Sequence, residues 1–236
     1  MSVTVAYSGG LGNNLFQYVS ARLFAIENGL RLDTPIAPNG MVAATPHEPG
    51  ESVPGPPTVL GEFHGILDRP YGRGRYDLRG YFQNANWILG RETVVRGFLR
   101  PLPMEEKNVR DIVIHCRLGD YAKLGWVIDP KWYLSVLERE RFRRLYIVTD
   151  TFDRPYLSAF KPYDPHVLCS SPSSDWQFLR SFDRMVISLS TFAWWAAFLG
   201  DASRIYTFLG YPFGVDLHRL PKAVAVGGAL LPRVPA

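Results

Sequence analysis

Between Arg110 and Phe208 the chain carries five short apolar runs, "RDIVIHCR", "RLYIVTD", "HVLCS", "RMVISLS" and "RIYTF", separated by longer segments with helical character. Runs this short and this rich in β-branched residues read as strands buried on both faces. The intervening "PKWYLSVLERER", with Pro130 near its first turn, "DWQFLRSFD" and "TFAWWAAFLG" read as helices. Strands alternating with helices predict a parallel sheet covered on both faces, and ligands in such sheets bind beyond the C-terminal strand ends. Those ends are therefore where chemistry is expected.

The N-terminus opens the same way. Residues 2 to 7 read as a buried strand, "YSGGLGNNLFQY" carries a glycine turn, and the helix after it places Leu15, Val19, Leu23 and Ile26 at helical spacing before Gly29 stops it. Gly10 and Gly12 fit the first two glycines of a G-x-G-x-x-G dinucleotide turn, but Leu15 stands where the third should be. Residues 34 to 57 hold seven prolines and three glycines, a composition that neither helix nor sheet interior tolerates, and read as a long loop. "YDLRGYFQN" at 76 to 84 reads as a strand leading to a helix, and the proline-flanked "RPLPMEEKN" at 100 to 108 as a domain boundary. The expectation is an α/β chain of two small Rossmann-like domains, 1–105 and 106–210, with a Pro/Gly-rich tail over 211–236.

With 47% hydrophobic residues the 236-residue chain has material for real cores. Cys116 and Cys169 fall in no metal-binding spacing with the five histidines, so no structural metal site is expected, and both read as reduced thiols in a cytoplasmic protein. The start of the chain lacks a basic segment before an apolar one, and the most apolar stretch, "FAWWAAFL", is far too short to span a bilayer, so the expected protein is neither exported nor integral. A net charge of +4 favours acidic partners: a phosphorylated substrate, an anionic membrane surface holding the protein peripherally, or a nucleic acid. The basic cluster "ERERFRRL" mixes both signs and reads as a solvated helix face, so no nucleic-acid partner is expected.

Three strand ends carry unusual polar sets. In "VIHCRLGDY" an apolar strand runs into His115, Arg117, Gly119, Asp120 and Tyr121; an arginine there can grip a phosphate, the glycine permits close approach, and Asp120 can orient the arginine or cap the turn. In "IVTDT", Asp150 can accept from a base or ribose, or cap the next helix. In "ISLSTFAWWAAFLG", Ser190 and Thr191 open a helix whose free N–H groups suit an anion, against the plainer reading of Ser190 as an N-cap and Trp194 and Trp195 as core. The chain lacks the P-loop G-x-x-x-x-G-K-[ST], the G-x-S-x-G elbow, and the D-x-D pair that holds a metal on a nucleotide diphosphate.

"GGLGNNLFQY" resembles the G-R-L-G-N-Q-x-F-Q-Y opening of the α-1,2-fucosyltransferases of glycosyltransferase family 11. "HCRLGDY" resembles their H-x-R-R-G-D, "SLSTFAWWAAFL" their N-S-S-F-S-W-W-x-A-W-L, and "GYFQN" their G-Y-F-Q, all in family order. The resemblance implies a GT-B-like pair of domains, a GDP-fucose donor held by the C-terminal half, a glycan acceptor held by the N-terminal half, and inversion without a metal or other cofactor. Position by position, Arg117 matches the arginine that neutralises the β-phosphate and His115 the donor-site histidine. Asp150 stands where related fucosyltransferases hold guanine, Ser190 and Thr191 match the paired serines near the pyrophosphate, and Asn13, after Gly12, matches the asparagine facing the cleft. Gly12, Gly119 and Asp120 complete the donor set, with Arg117 and Asn13 implied as catalytic.

Four departures stand out: Leu118 for the second arginine, Gly10 for the arginine of the opening motif, Asn14 for glutamine and Leu189 for asparagine. The lost cations leave open another GDP-sugar, or a noncatalytic nucleotide- or glycan-binding module, with Arg22, Arg75 and Arg79 as replacement charges. For a catalytic base the sequence gives no clear candidate: Glu62, His64, His47 and Glu48 lie in the acceptor half, and each reads better as ordinary surface.

Overall fold

The structure is a computed structural model; it describes residues 1–36, 42–45, 55–62, 65–104, 106–210 and 217–232. Most of the proline-rich segment, with His47, Glu48 and His64, lies outside the described residues. The chain divides into two compact units, Met1–Leu102 and Pro103–Ala236, and the division falls inside the proline-flanked stretch.

In the first unit, β1 (Ser2–Val5) leads through the glycine turn into α1 (Leu11–Asn28) and β2 (Arg31–Leu32). After β3 (Val42–Ala44) come β4 (Thr58–Gly61), β5 (Arg75–Arg79), α2 (Ala85–Leu89), α3 (Glu92–Phe98) and β6 (Leu99–Pro101). The order β2-β1-β5-β4 is parallel throughout, while β3 and β6 form a separate antiparallel pair. α1 is buried along almost its whole length, with Leu15 and Phe16 inward, because it packs on the sheet and beneath the helices after β5. Ile26, which shares the helical spacing of the core positions, is exposed instead, one turn from the end where Gly29 closes the helix in left-handed conformation.

The second unit holds β7 (Ile112–Cys116), α4 (Gly119–Leu124), α5 (Pro130–Leu137), β8 (Leu145–Thr149), α6 (Arg154–Leu157) and β9 (His166–Leu168). It continues with α7 (Pro172–Arg180), β10 (Arg184–Ile187), α8 (Thr191–Leu199), β11 (Arg204–Leu209) and β12 (Ala223–Gly227). All six strands are parallel, in the order β12-β11-β10-β7-β8-β9. Numbered within the unit that is 6-5-4-1-2-3, the doubly wound order of dinucleotide-binding domains, in which the winding reverses between strands 1 and 4. β7 is central and buried at all five residues, as its unbroken apolar run requires.

Two expectations change at this level. The segment after Tyr211 is not only a tail: residues 223–227 pair in register with β11 and form the sixth strand, a role hidden because an edge strand needs no strong apolar alternation. α5 ends at Leu137 rather than running through "ERER". Glu140 turns toward β11 and β10, where it accepts from Arg204 and from Tyr206 Oη at 2.5 Å and faces Arg184 at 3.6 Å. Arg143 of the same cluster pairs with the buried Asp111 carboxylate at 3.1 Å.

Candidate functional site at the switch point of the six-stranded sheet

The reversal between β7 and β10 opens a crevice at their C-terminal ends, because the connections leaving the two strands run to opposite sides of the sheet. β7 runs out into "HCRLGDY" and β10 into "SLST", so two of the three polar sets meet at the same crevice, and the third lies at the end of β8, the neighbour of β7.

Arg117 is the cation of the site and is held from both sides. Its Nε and Nη2 donate to Asp120 Oδ1 at 3.0 and 2.9 Å, and its Nη1 lies 3.1 Å from Asp150 Oδ2. Asp150 also accepts the backbone N–H of Leu118 at 2.8 Å and of Gly119 at 3.3 Å, so it ties the turn after β7 to the end of β8. The helix after β8 is capped by Asp153, which accepts from Tyr156 N–H, and not by Asp150. Gly119 permits this close approach: a Cβ there would lie 2.7 Å from Asp150 Oδ2, and the carboxylate would have to shift.

His115 is fully enclosed at the end of β7, and its Nδ1 shares a 2.7 Å hydrogen bond with Ser188 Oγ after β10. Burial, the largest effect, holds its pKa down at about 4 against an opposing pull from Asp150, with a lesser contribution from the Arg117 charge, so the ring is neutral near pH 7. Behind it, Tyr133 Oη donates to the His115 carbonyl at 3.0 Å. Cys116 faces the apolar interior, where burial pushes its thiol up to about 12 and keeps it protonated and inert.

The two walls are joined by Tyr121, whose Oη donates to the Leu189 carbonyl at 2.7 Å and whose ring lies 5.7 Å from the Arg117 guanidinium carbon. Burial raises its phenol to about 12, so it stays a donor. Ser190 occupies the N-cap position of α8 in extended conformation, yet its side chain makes no cap bond to the helix. The N-terminus of this nine-residue helix, with its partial positive charge, thus receives no acceptor from the Ser190 side chain. Trp194 and Trp195 are buried core, with Trp194 stacked on Phe198 at 5.1 Å.

Leu118 and Leu189, two of the positions at which the resemblance expects polar residues, are both buried and belong to the same apolar cluster. The three proposed replacement cations are engaged within the first unit. Arg22 is buried and donates to Tyr18 Oη and the Thr45 carbonyl, Arg75 donates to the Gly55 carbonyl, and Arg79 pairs with Asp77. Asn13 and Gly12 also lie in the first unit, in the opening turn of α1, where Asn13 Oδ1 accepts from Gln83 Nε2 at 2.9 Å. They form no part of the constellation that the second unit builds by itself.

Two residues of the architecture stand inside the motifs but were not among the expected site residues. Ser188 sits one residue beyond a strand and meets His115 across 73 positions. Gln17, fully buried in α1, accepts from Ser8 N–H at 3.1 Å and donates to Ser8 Oγ and the Gly80 carbonyl at 3.0 and 2.8 Å, clamping the loops after β1 and β5. A polar residue among Leu15, Phe16, Tyr18 and Val19 in a helix enclosed on all sides was the available hint.

No protein family, no curated protein and no solved structure matches this chain. Fold and site define a class: an α/β protein with parallel sheets of four and six strands, Rossmann-like in its second unit, with an arginine and a helix N-terminus facing one crevice. Among the described residues no group of His, Cys, Asp or Glu could hold a metal ion, and no helix is long and apolar enough to cross a membrane.

Proposed function

We propose that the chain is an inverting glycosyltransferase of GT-B type that takes GDP-fucose as donor, transfers fucose to a hydroxyl of a glycan, on the resemblance O2 of a galactoside, and needs no metal. The observation that supports the reading is that Arg117 and the N-terminus of α8 leave neighbouring strands at the switch point of the sheet, bridged by the Tyr121 bond to Leu189. A nucleotide diphosphate brings its negative charge to such an edge, and the four motifs in family order name the sugar nucleotide.

The chemistry follows from the leaving group. As the acceptor oxygen attacks the anomeric carbon from the opposite face, the bond to the β-phosphate oxygen breaks and charge grows on that phosphate. Arg117, the α8 dipole and the hydroxyls of Ser190 and Thr191 supply what a metal supplies elsewhere. Neutral His115, with Nδ1 committed to Ser188, backs the Arg117 turn with a ring of fixed orientation. Asp120, the more exposed of the two carboxylates on Arg117, is the one a phosphate displaces.

A second reading, a different GDP-sugar or a module that binds without turnover, is favoured by one observation: a single arginine faces two carboxylates, and Leu118 brings no second cation. Incubation with GDP-fucose and a panel of galactosides separates these. The enzyme gives a fucosylated product, and slow donor hydrolysis without acceptor; neither product nor hydrolysis, with GDP still bound, leaves the binding module.

A further inference from the structure

The N-terminal strand ends of the six-stranded sheet, opposite the crevice, gather the arginines of the second unit. Arg184, which opens β10, ties that edge together: its Nη2 donates to the carbonyls of Val109 at 3.2 Å and Arg110 at 2.8 Å, and its Nη1 to the carbonyl of Arg141. The Arg143 N–H donates to the Arg110 carbonyl at 3.1 Å, and the N–H groups of Ser203 and Arg204 to the Asp183 carbonyl at 2.9 and 3.2 Å. The segments 107–111, 138–144, 183–184 and 201–204 therefore form one surface, and they carry eight cations to five carboxylates. In sequence "ERERFRRL" mixes both signs; the fold separates them.

Three of the five carboxylates are taken up within the protein. Asp111 is wholly buried and accepts from Asn108 Nδ2 at 2.9 Å and from Arg143 at 3.1 Å. Glu140, its side chain almost fully enclosed, accepts from Arg204 and Tyr206, and Asp183 pairs with Lys107 at 2.8 Å and accepts from Ser203 Oγ at 2.5 Å. What stays outside is Arg110, Arg139, Arg141 and Arg144, all exposed and, among the described residues, in no ion pair, against exposed Glu138 and Asp201. Among these arginines stands Val109, 59% exposed, one of the two most exposed large apolar side chains of the described residues. The backbone that presents it is fixed by the Arg184 bond to its carbonyl.

We propose that this edge of the second unit is a docking surface for an anionic phospholipid bilayer, with the four arginines on headgroup phosphates and Val109 at the boundary with the acyl chains. Charge complementarity selects a polyanion, and arginines without carboxylate partners are the groups that meet its phosphates. Val109 selects among polyanions: an aliphatic side chain gains by entering the interfacial layer, whereas single-stranded nucleic acids are held on exposed aromatic rings. Phe142, the aromatic of this surface, is half-buried and packed on Tyr163. The strands run away from this surface, and β7, five residues at about 3.3 Å each, holds Arg117 about 17 Å beyond it. Docking here leaves the crevice open to solutes. The surface does not rest on the function proposed above.

Cosedimentation of the full chain with vesicles of phosphatidylcholine, with and without phosphatidylglycerol, tests the proposal. The wild type should bind the mixed vesicles at low salt, let go as salt rises, and ignore phosphatidylcholine alone. Arg110→Gln combined with Arg139→Gln and Arg141→Gln should weaken binding ~100-fold, and Val109→Ser alone ~3-fold. Lys131→Gln, which removes a charge at the opposite end of α5, should bind as the wild type does. Thermal unfolding of the variants close to wild type identifies the losses as losses of contact. No binding to the anionic vesicles, equal binding to both kinds, or a folded triple variant that binds like wild type overturns the proposal. So does a Lys131→Gln loss as large as that of the triple variant, or a DNA duplex held more tightly than the anionic vesicles at the same salt. Arg117→Ala should keep wild-type vesicle binding, so failure of the donor reading leaves this surface standing.

Discussion

The two sheets wind differently, the six-stranded one reversing between β7 and β10 and the four-stranded one following the order β2-β1-β5-β4, and the polar residues at their C-terminal strand ends differ in kind as well. At the six-stranded sheet they are ionic: Arg117 between Asp120 and Asp150, with neutral His115 behind and the α8 N-terminus across the crevice. At the four-stranded sheet they are carboxamides around buried Gln17, with the single carboxylate Glu62 at the rim. Under the proposed function the ionic edge is the one that takes the diphosphate. Topology decides where a ligand can sit; the side chains delivered to that place decide which ligand.

Changes confined to one edge should therefore leave the other untouched. The largest effect is expected from Arg117→Ala, which removes the cation of the ionic edge. GDP affinity by calorimetry should fall ~1000-fold, to below detection, because only the α8 dipole and the Ser190 and Thr191 hydroxyls are left to hold the diphosphate.

Next comes the pH dependence of His115. Its pKa in the fold is about 4, against an ordinary 6.5 in the unfolded chain. Between those values the unfolded chain binds the proton more readily, so the stability gained by keeping the ring neutral is fully present above pH 6.5 and lost as pH falls toward 4. The loss should reach about 3 kcal/mol. Denaturant unfolding of wild type and His115→Asn at pH 7 and pH 4.5 checks this: the variant should have the shallower dependence, and equal slopes would place the proton elsewhere.

Gln17→Ala probes the carboxamide edge. It strips the clamp from Ser8 and Gly80 and should destabilise the protein by about 2 kcal/mol in chemical denaturation, with GDP affinity unchanged. A change in GDP affinity with stability intact would contradict a purely structural clamp. The smallest effect is expected from Ser188→Ala, about a 3-fold loss of GDP affinity, because only the partner that orients a ring already fixed by packing is removed.

The second sheet was legible because each of its first five strands is a continuous apolar run, and a run of that kind has few other ways to fold. β12 was not, since an edge strand with mostly exposed side chains leaves no such pattern. At the site, Arg117, Gly119 and Asp120 could be read because they are neighbours in sequence. Their setting could not: Asp150 reaches the turn from 31 or 32 residues away, and Ser188 reaches His115 from 73. Asp150 illustrates the limit, since a carboxylate after a strand looks the same whether it caps its own helix or its neighbour's turn. Leu118 and Leu189 read as two separate departures in the sequence, and the fold makes them parts of one apolar cluster.

The central claim is that the ionic edge holds a guanosine diphosphate through Arg117. Titration calorimetry of the intact chain with GDP, UDP and GDP-fucose, on wild type beside Arg117→Ala, tests it most directly. The account predicts binding of GDP and GDP-fucose by the wild type, little or none of UDP, and none of the three by the variant. Wild type that ignores GDP, or a variant that still binds it with wild-type affinity, would contradict it.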